Sequence, residues 1–150
     1  MDSKRWTENL IKLLELASYR LDILATNLND SSWYDNKVIR GLKDVSIHNQ
    51  RSKIRFISPN STQAAFGGHP FIELAQRLPS KIFARNTRPE DSAFIHTFIV
   101  ADKKHIIIQN TKTNNSEVLH DSARLCLPYL EQFENHWEAG SPDLNFRTLT

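Results

Sequence analysis

The chain has 150 residues but one cysteine, one methionine and only four glycines. The lone Cys126 excludes an internal disulfide and fits a reducing compartment. So few glycines argue against a glycine-rich phosphate loop. No apolar run approaches the ~18 residues of a membrane span. The first residues, M-D-S-K-R-W-T-E-N, lack the apolar core of a signal peptide, so the cytoplasm is the expected compartment. Charge of one sign is also missing: 19 Lys and Arg face 17 Asp and Glu, a net +2. That does not suggest a general nucleic-acid binder, although a local basic patch stays open. His48, His69, His96, His105, His120 and His136 show no H-x3-H or H-E-x2-H spacing, so no metal is expected. No serine sits in a G-x-S-x-G context. No cofactor is implied.

What is present is ordinary soluble composition, 39% hydrophobic and 24% charged, enough for one domain over 1–150 with a real core. The most informative stretch is Phe94–Asn110, F-I-H-T-F-I-V-A-D-K-K-H-I-I-I-Q-N. Two β-branched and aromatic runs flank the corner Asp102-Lys103-Lys104, which predicts a buried β-hairpin carrying His96 and Asp102.

Before the hairpin, apolar positions from Leu10 to Ala17 have helical spacing, with Thr7 as the expected N-cap. Tyr19–Thr26 reads as a first strand. Asn27–Ser32 is a polar loop, and Asn36–Asn49 a second helix. Lys53–Ser58 is a second strand. Pro70 opens a third helix that Pro79 stops, and Lys81–Arg85 is a third strand. After the hairpin, Asp121–Ala139 is a last helix, which Pro128 should kink or start. Helices alternating with strands predict a single α/β domain, its mixed, mostly parallel sheet flanked by helices.

This order, with a His- and Asp-bearing strand in the second half, resembles one lobe of the phospholipase D superfamily. Leu10–Thr26 resembles the opening helix and strand of such a lobe. Ile39–Ile57 resembles the next helix and strand, and Phe98–Asp102 (F-I-V-A-D) the strand closing the H-x-K-x4-D motif. F-E-N-H-W-E-A-G resembles the final helix. More narrowly, G-H-P-F-I-E-L-A-Q-R-L-P-S with F-E-N-H-W-E resembles an uncharacterised bacterial domain sometimes appended to acetyltransferases.

The resemblance implies a His that attacks phosphorus, a Lys two residues on that holds phosphate oxygens, and an Asp that orients the His. Here the motif is degenerate. With Asp102 in register, Ile95 takes the His position and Thr97 the Lys position. Gln109, Asn110 and Lys112 fall at the downstream Gly, Ser and Asn positions. His96 is off by one, and adjacent strand residues face opposite ways.

The expected role is therefore a non-catalytic binding or regulatory module. Its anion or phosphate pocket would be lined by Arg85, His69, Asn27 and Asp102. Arg85 and the helix start at His69 would hold the anion, Asn27 would offer a neutral hydrogen bond and Asp102 would orient a donor. The plainer reading of His69, before Pro70, is a cap or loop residue. A single lobe of this kind implies a two-fold homodimer, and a protein partner is open. Two alternatives are an active phosphodiesterase or nuclease using His96, and a nucleic-acid-binding protein without catalysis. Arg51, Lys53, Arg55, Lys81, Arg85, Arg88, Lys103 and Lys104 could merge into one basic edge.

Overall fold

The computed structural model describes residues 2–59, 61, 65, 67–91, 96–110, 115–116 and 119–147. In chain order the elements are α1 (Asp2–Leu16), β1 (Arg20–Leu24), α2 (Asn36–Ile47), β2 (Lys53–Ser58), α3 (Pro70–Arg77), β3 (Ile82–Asn86), β4 (His96–Ala101), β5 (His105–Asn110), two-residue β6 (Asn115–Ser116) and β7 (His120–Asp121), α4 (Ala123–Ala139) and two-residue β8 (Ser141–Pro142). Short 3-10 turns at Ser31–Tyr34, Pro89–Asp91 and Leu144–Phe146 fill connections.

The strands form one mixed sheet in the order β6-β5-β4-β1-β2-β3-β8, with β7 also on β5. β1, β2 and β3 run parallel, while β4 lies antiparallel on β1 and β5 antiparallel on β4. Alternation along the strands splits the core between two faces. Leu21, Ile23, Ile54, Phe56, Ile99 and Ile107 pack with Trp6, Leu10, Leu13, Val38, Leu42 and Phe71 from α1, α2 and α3. Leu24, Ile57, Phe98, Val100 and Ile106 pack with Cys126 and Phe133 of α4. α4 alone among the four helices described covers this second face.

Two helix starts differ from expectation or refine it. α1 begins at Asp2, so Thr7 is interior rather than a cap. Trp6, only 1% exposed, adds a buried anchor one turn ahead of Leu10 and carries the helix back. The Thr7 hydroxyl instead meets Ser32 Oγ at 2.7 Å. α4 runs through Pro128 as one element and is capped by Ser122, whose Oγ accepts from Leu125 N–H at 3.1 Å. Among the described residues no helix is long and apolar enough to cross a membrane.

Candidate functional site

The hairpin fixes where the motif-like residues go. Phe94 and Ile95 lie outside the described residues; β4 starts at His96. At its far end Asp102 and Lys103 take left-handed φ values of 54° and 61°. Lys104 N–H closes on Ala101 O at 3.0 Å, the pattern of a type I′ turn. Asp tolerates this conformation better than a branched residue.

Because β4 is antiparallel to β1, the turn lies at the N-terminal edge of the parallel strands. There the Asp102 carboxylate accepts three backbone N–H groups, from Ser18 (2.8 Å), Tyr19 (2.9 Å) and Arg20 (3.0 Å). These are the amides that lead from α1 into β1. Asp102 therefore splices the start of β1 to the end of β4.

His96 sits at the opposite end of β4. Its parity matches Phe98 and Val100, so it lies on the α4 side of the sheet. Its Nδ1 is buried with no hydrogen-bond partner. Thr97, which the sequence register sets at the motif's Lys position, is on the other side and only 4% exposed. Its Oγ1 accepts from Thr26 N–H at 3.0 Å and meets Thr26 Oγ1 at 2.9 Å. Ser58 and Thr87, also at this C-terminal edge, bury hydroxyls without a partner. Of the downstream motif positions, Gln109 is buried in β5, Asn110 ends that strand, and Lys112 lies outside the described residues. Arg88, a cation in the connection after β3, is held by Asp91 at 2.7 Å.

The expected lining of the anion pocket does not converge. Asp102 is at one sheet edge; Asn27 and His69 are at the other. Asn27 is exposed, and its Oδ1 accepts from Asn29 N–H at 2.9 Å in an Asx turn. His69 is the N-cap of α3 and is buried. Its Nδ1 accepts from Phe71 N–H (3.1 Å), and its Nε2 pairs with Leu28 O (2.8 Å). That geometry requires the neutral Nε2–H tautomer, and burial lowers its pKa. The imidazole itself occupies the helix N–H that an anion would have used. His69 is thus a structural cap, the other role its place before Pro70 allowed.

Arg85 stands apart, on the α4 side of β3. Its guanidinium lies 4.7 Å from the Trp137 ring centroid and donates from Nη1 to Trp137 O at 2.6 Å. It opens on a cleft of about 530 Å3 that Phe83, Trp137, Pro142, Phe146 and Arg147 also line. Next to it the tail is pinned by Asp143, which accepts from Ser61 Oγ (2.6 Å) and Asn86 Nδ2 (3.0 Å).

One charged cluster escaped the sequence reading. Asp22, fully buried in β1, bridges Arg20 Nε and Arg55 Nε, each at 2.9 Å. Arg55 also grips both oxygens of Glu134 on α4 and lies 4.8 Å from the Phe133 ring. Burial opposes the Arg55 charge, but its bonds to Glu134 and Asp22 prevail and raise its pKa; the bond to Arg55 lowers that of Glu134. The signal was available: a charge at the centre of R-L-D-I-L and another in K-I-R-F-I-S, each with an apolar residue on both sides. Among the described residues no group of three His, Cys, Asp or Glu side chains could hold a metal.

The domain model described as "Domain of unknown function (DUF7931)" matches residues 2–149. The chain belongs to the DUF7931 family. No curated protein matches its sequence. Among solved structures, this DUF7931 chain is similar to TrmBL2, described as an archaeal chromatin protein with a novel mode of DNA binding, at 15% identity and a TM-score of 0.65. That match covers 91% of the chain and 47% of TrmBL2, so the chain spans about half of that protein. It is also similar to the phospholipase D family member Nuc from Salmonella typhimurium, at 14% identity and a TM-score of 0.60, covering 89% and 87% of the two chains. NucT from Helicobacter pylori matches at 13% identity and a TM-score of 0.58, covering 94% and 92%. The fold is phospholipase D-like.

Proposed function

We propose that this DUF7931 chain is a binding or regulatory module on a phospholipase D-like fold and does not cleave phosphodiesters. The observation that carries the reading is the pairing of Thr97 with Thr26 at the position where the superfamily's chemistry needs a cation. Phosphoryl transfer depends mainly on stabilising charge on the non-bridging oxygens. A buried threonine supplies no positive charge. His96 lies on the opposite side of the sheet, and Asp102 is bonded to backbone at the opposite edge. Fold alone does not choose between binding and catalysis, so the side chains must.

Arg85 is the anchor we assign to an anion. Its cleft combines two guanidinium groups, Arg85 and Arg147, with an apolar floor of Phe83, Pro142 and Phe146. That suits a phosphate or carboxylate on an apolar body. Asn27, His69 and Asp102 do not belong to this pocket.

Two measurements test the reading. Hydrolysis of bis(p-nitrophenyl) phosphate should not exceed buffer; turnover that His96→Ala abolishes would establish the rival phosphodiesterase. Titration with phenyl phosphate, followed by NMR of the arginine Nε–H signals, should shift Arg85. A spectrum unmoved at millimolar ligand would remove the pocket and leave the non-catalytic reading standing.

A further inference from the structure

The eight residues that could have formed one basic edge separate in the fold. Arg55 is buried against Asp22 and Glu134, Arg85 faces Trp137, and Arg88 is paired with Asp91. The other five, Arg51, Lys53, Lys81, Lys103 and Lys104, gather at the N-terminal edge of the parallel strands. Backbone hydrogen bonds fix their row. Ile54 N–H bonds Lys81 O (2.8 Å), Lys53 N–H bonds Tyr19 O (2.8 Å), and Asp102 N–H bonds Arg20 O (2.9 Å). The segments therefore lie side by side in the order β3, β2, β1, β4. Three inter-strand steps span about 14 Å.

The four connections at this edge, residues 17–19, 48–53, 78–81 and 102–104, contain those five cations and one carboxylate. That carboxylate, Asp102, is turned inward onto three amides. Arg51, Lys53, Lys103 and Lys104 are exposed. Lys81 Nζ is held on Asn49 O (3.1 Å) and Gln50 O (3.0 Å), shaping the loop that presents Arg51. Asp121 borders the row at its β4 end, and Glu134 lies beside its middle, held by Arg55 of β2 and Arg20 of β1. The opposite edge has the reverse balance. Its described connections 25–35 and 87–91 carry Asp30, Asp35, Glu90 and Asp91 against Arg88 alone. Among the described residues, the connections at the two edges thus carry opposite balances of charge.

We infer that the N-terminal edge of the sheet, on the side away from the motif-like His96 and Thr97, binds the phosphodiester backbone of nucleic acid. A line of cations matches a line of phosphates. Beside it Tyr19, Asn49, Gln50 and Arg51 line an open hollow of about 620 Å3. A phenol, two amides and a guanidinium suit stacking and hydrogen bonding to a nucleotide. An anionic lipid surface is the competing partner, because Leu16 and Ile47 end their helices exposed at the same edge. The linear order of the charges and the polar hollow favour nucleic acid. The inference goes beyond the proposed function and does not depend on the Arg85 cleft.

The test is fluorescence anisotropy of the full chain with a labelled 20-base-pair DNA duplex from 50 to 200 mM salt. Binding at the low end is expected, with a log–log salt slope of about −3 to −4, as for roughly four phosphate contacts. Arg51→Glu with Lys104→Glu should weaken binding at least tenfold, while Arg88→Glu leaves it within twofold. Circular dichroism melting confirms that the variants fold. Absence of binding at 50 mM salt, equal affinity of the double variant, or binding to phosphatidylserine vesicles without duplex binding would overturn the inference.

Discussion

Replacing Asp102 should cost stability, because its carboxylate works as a backbone splice. Oδ2 accepts from Ser18 N–H, and Oδ1 accepts from Tyr19 and Arg20 N–H. Hydrogen bonds to a charged group contribute about 1.5–3 kcal/mol each, and an amide left unpaired adds its own penalty. Asp102→Asn keeps one oxygen and two neutral bonds, but sets an NH2 against Ser18 N–H. It also tolerates φ 54°, so backbone strain is held constant. The expected loss is about 2–4 kcal/mol. Asp102→Gly removes all three bonds without strain and should lose more. Asp102→Ala adds left-handed strain of about 1 kcal/mol and should lose most. Urea unfolding with unchanged m reads these differences, and Tm should fall by about 2–4 °C per kcal/mol. A carboxylate retained to orient a catalytic histidine would not hold β1 in place. Asp102→Asn within about 0.5 kcal/mol of the parent would refute the reasoning.

Three further outcomes follow from the same structure. Arg55→Met leaves Asp22 buried beside Arg20 only and should destabilise by about 3–5 kcal/mol; Asp22→Leu with Arg55→Met should lose less than Arg55→Met alone, and a greater loss in the pair would contradict this. Burial lowers the His69 pKa in the folded state, so the unfolded chain binds more protons below its ordinary value of about 6.5. That contribution to stability is whole above this pH and shrinks as pH falls toward the folded value; His69→Gln should flatten Tm against pH just below about 6.5, and an unchanged slope would refute it. Burial first, then the Asp121 charge, pushes the Cys126 thiol up to about 11. Iodoacetamide at pH 8 should therefore label it only in urea, and rapid native labelling would contradict its burial.

The architecture was legible because the apolar periods alternate cleanly between helix and strand. The hairpin was legible from β-branched runs on either side of a charged corner. Helix ends were less so. Thr7 looks like a cap only until Trp6 is known to be buried, and tertiary packing supplies that fact. The sites divide along the same line. That His96 and Thr97 face opposite sides follows from strand parity alone. Convergence of Arg85, His69, Asn27 and Asp102 required knowing which way β4 runs. Because it is antiparallel to β1, Asp102 goes to the edge opposite Asn27. The Asp22–Arg55–Glu134 cluster joins residues more than 30 positions apart, beyond any local pattern. The same holds for the basic row, which only sheet order assembles.

The most direct test of the central claim is intact-mass spectrometry of the chain, quenched after incubation with excess phosphodiester substrate. A histidine nucleophile of this superfamily forms a phosphohistidine. The unmodified mass is expected at every time point. A phosphoryl adduct that maps to His96 and disappears in His96→Ala would contradict the account.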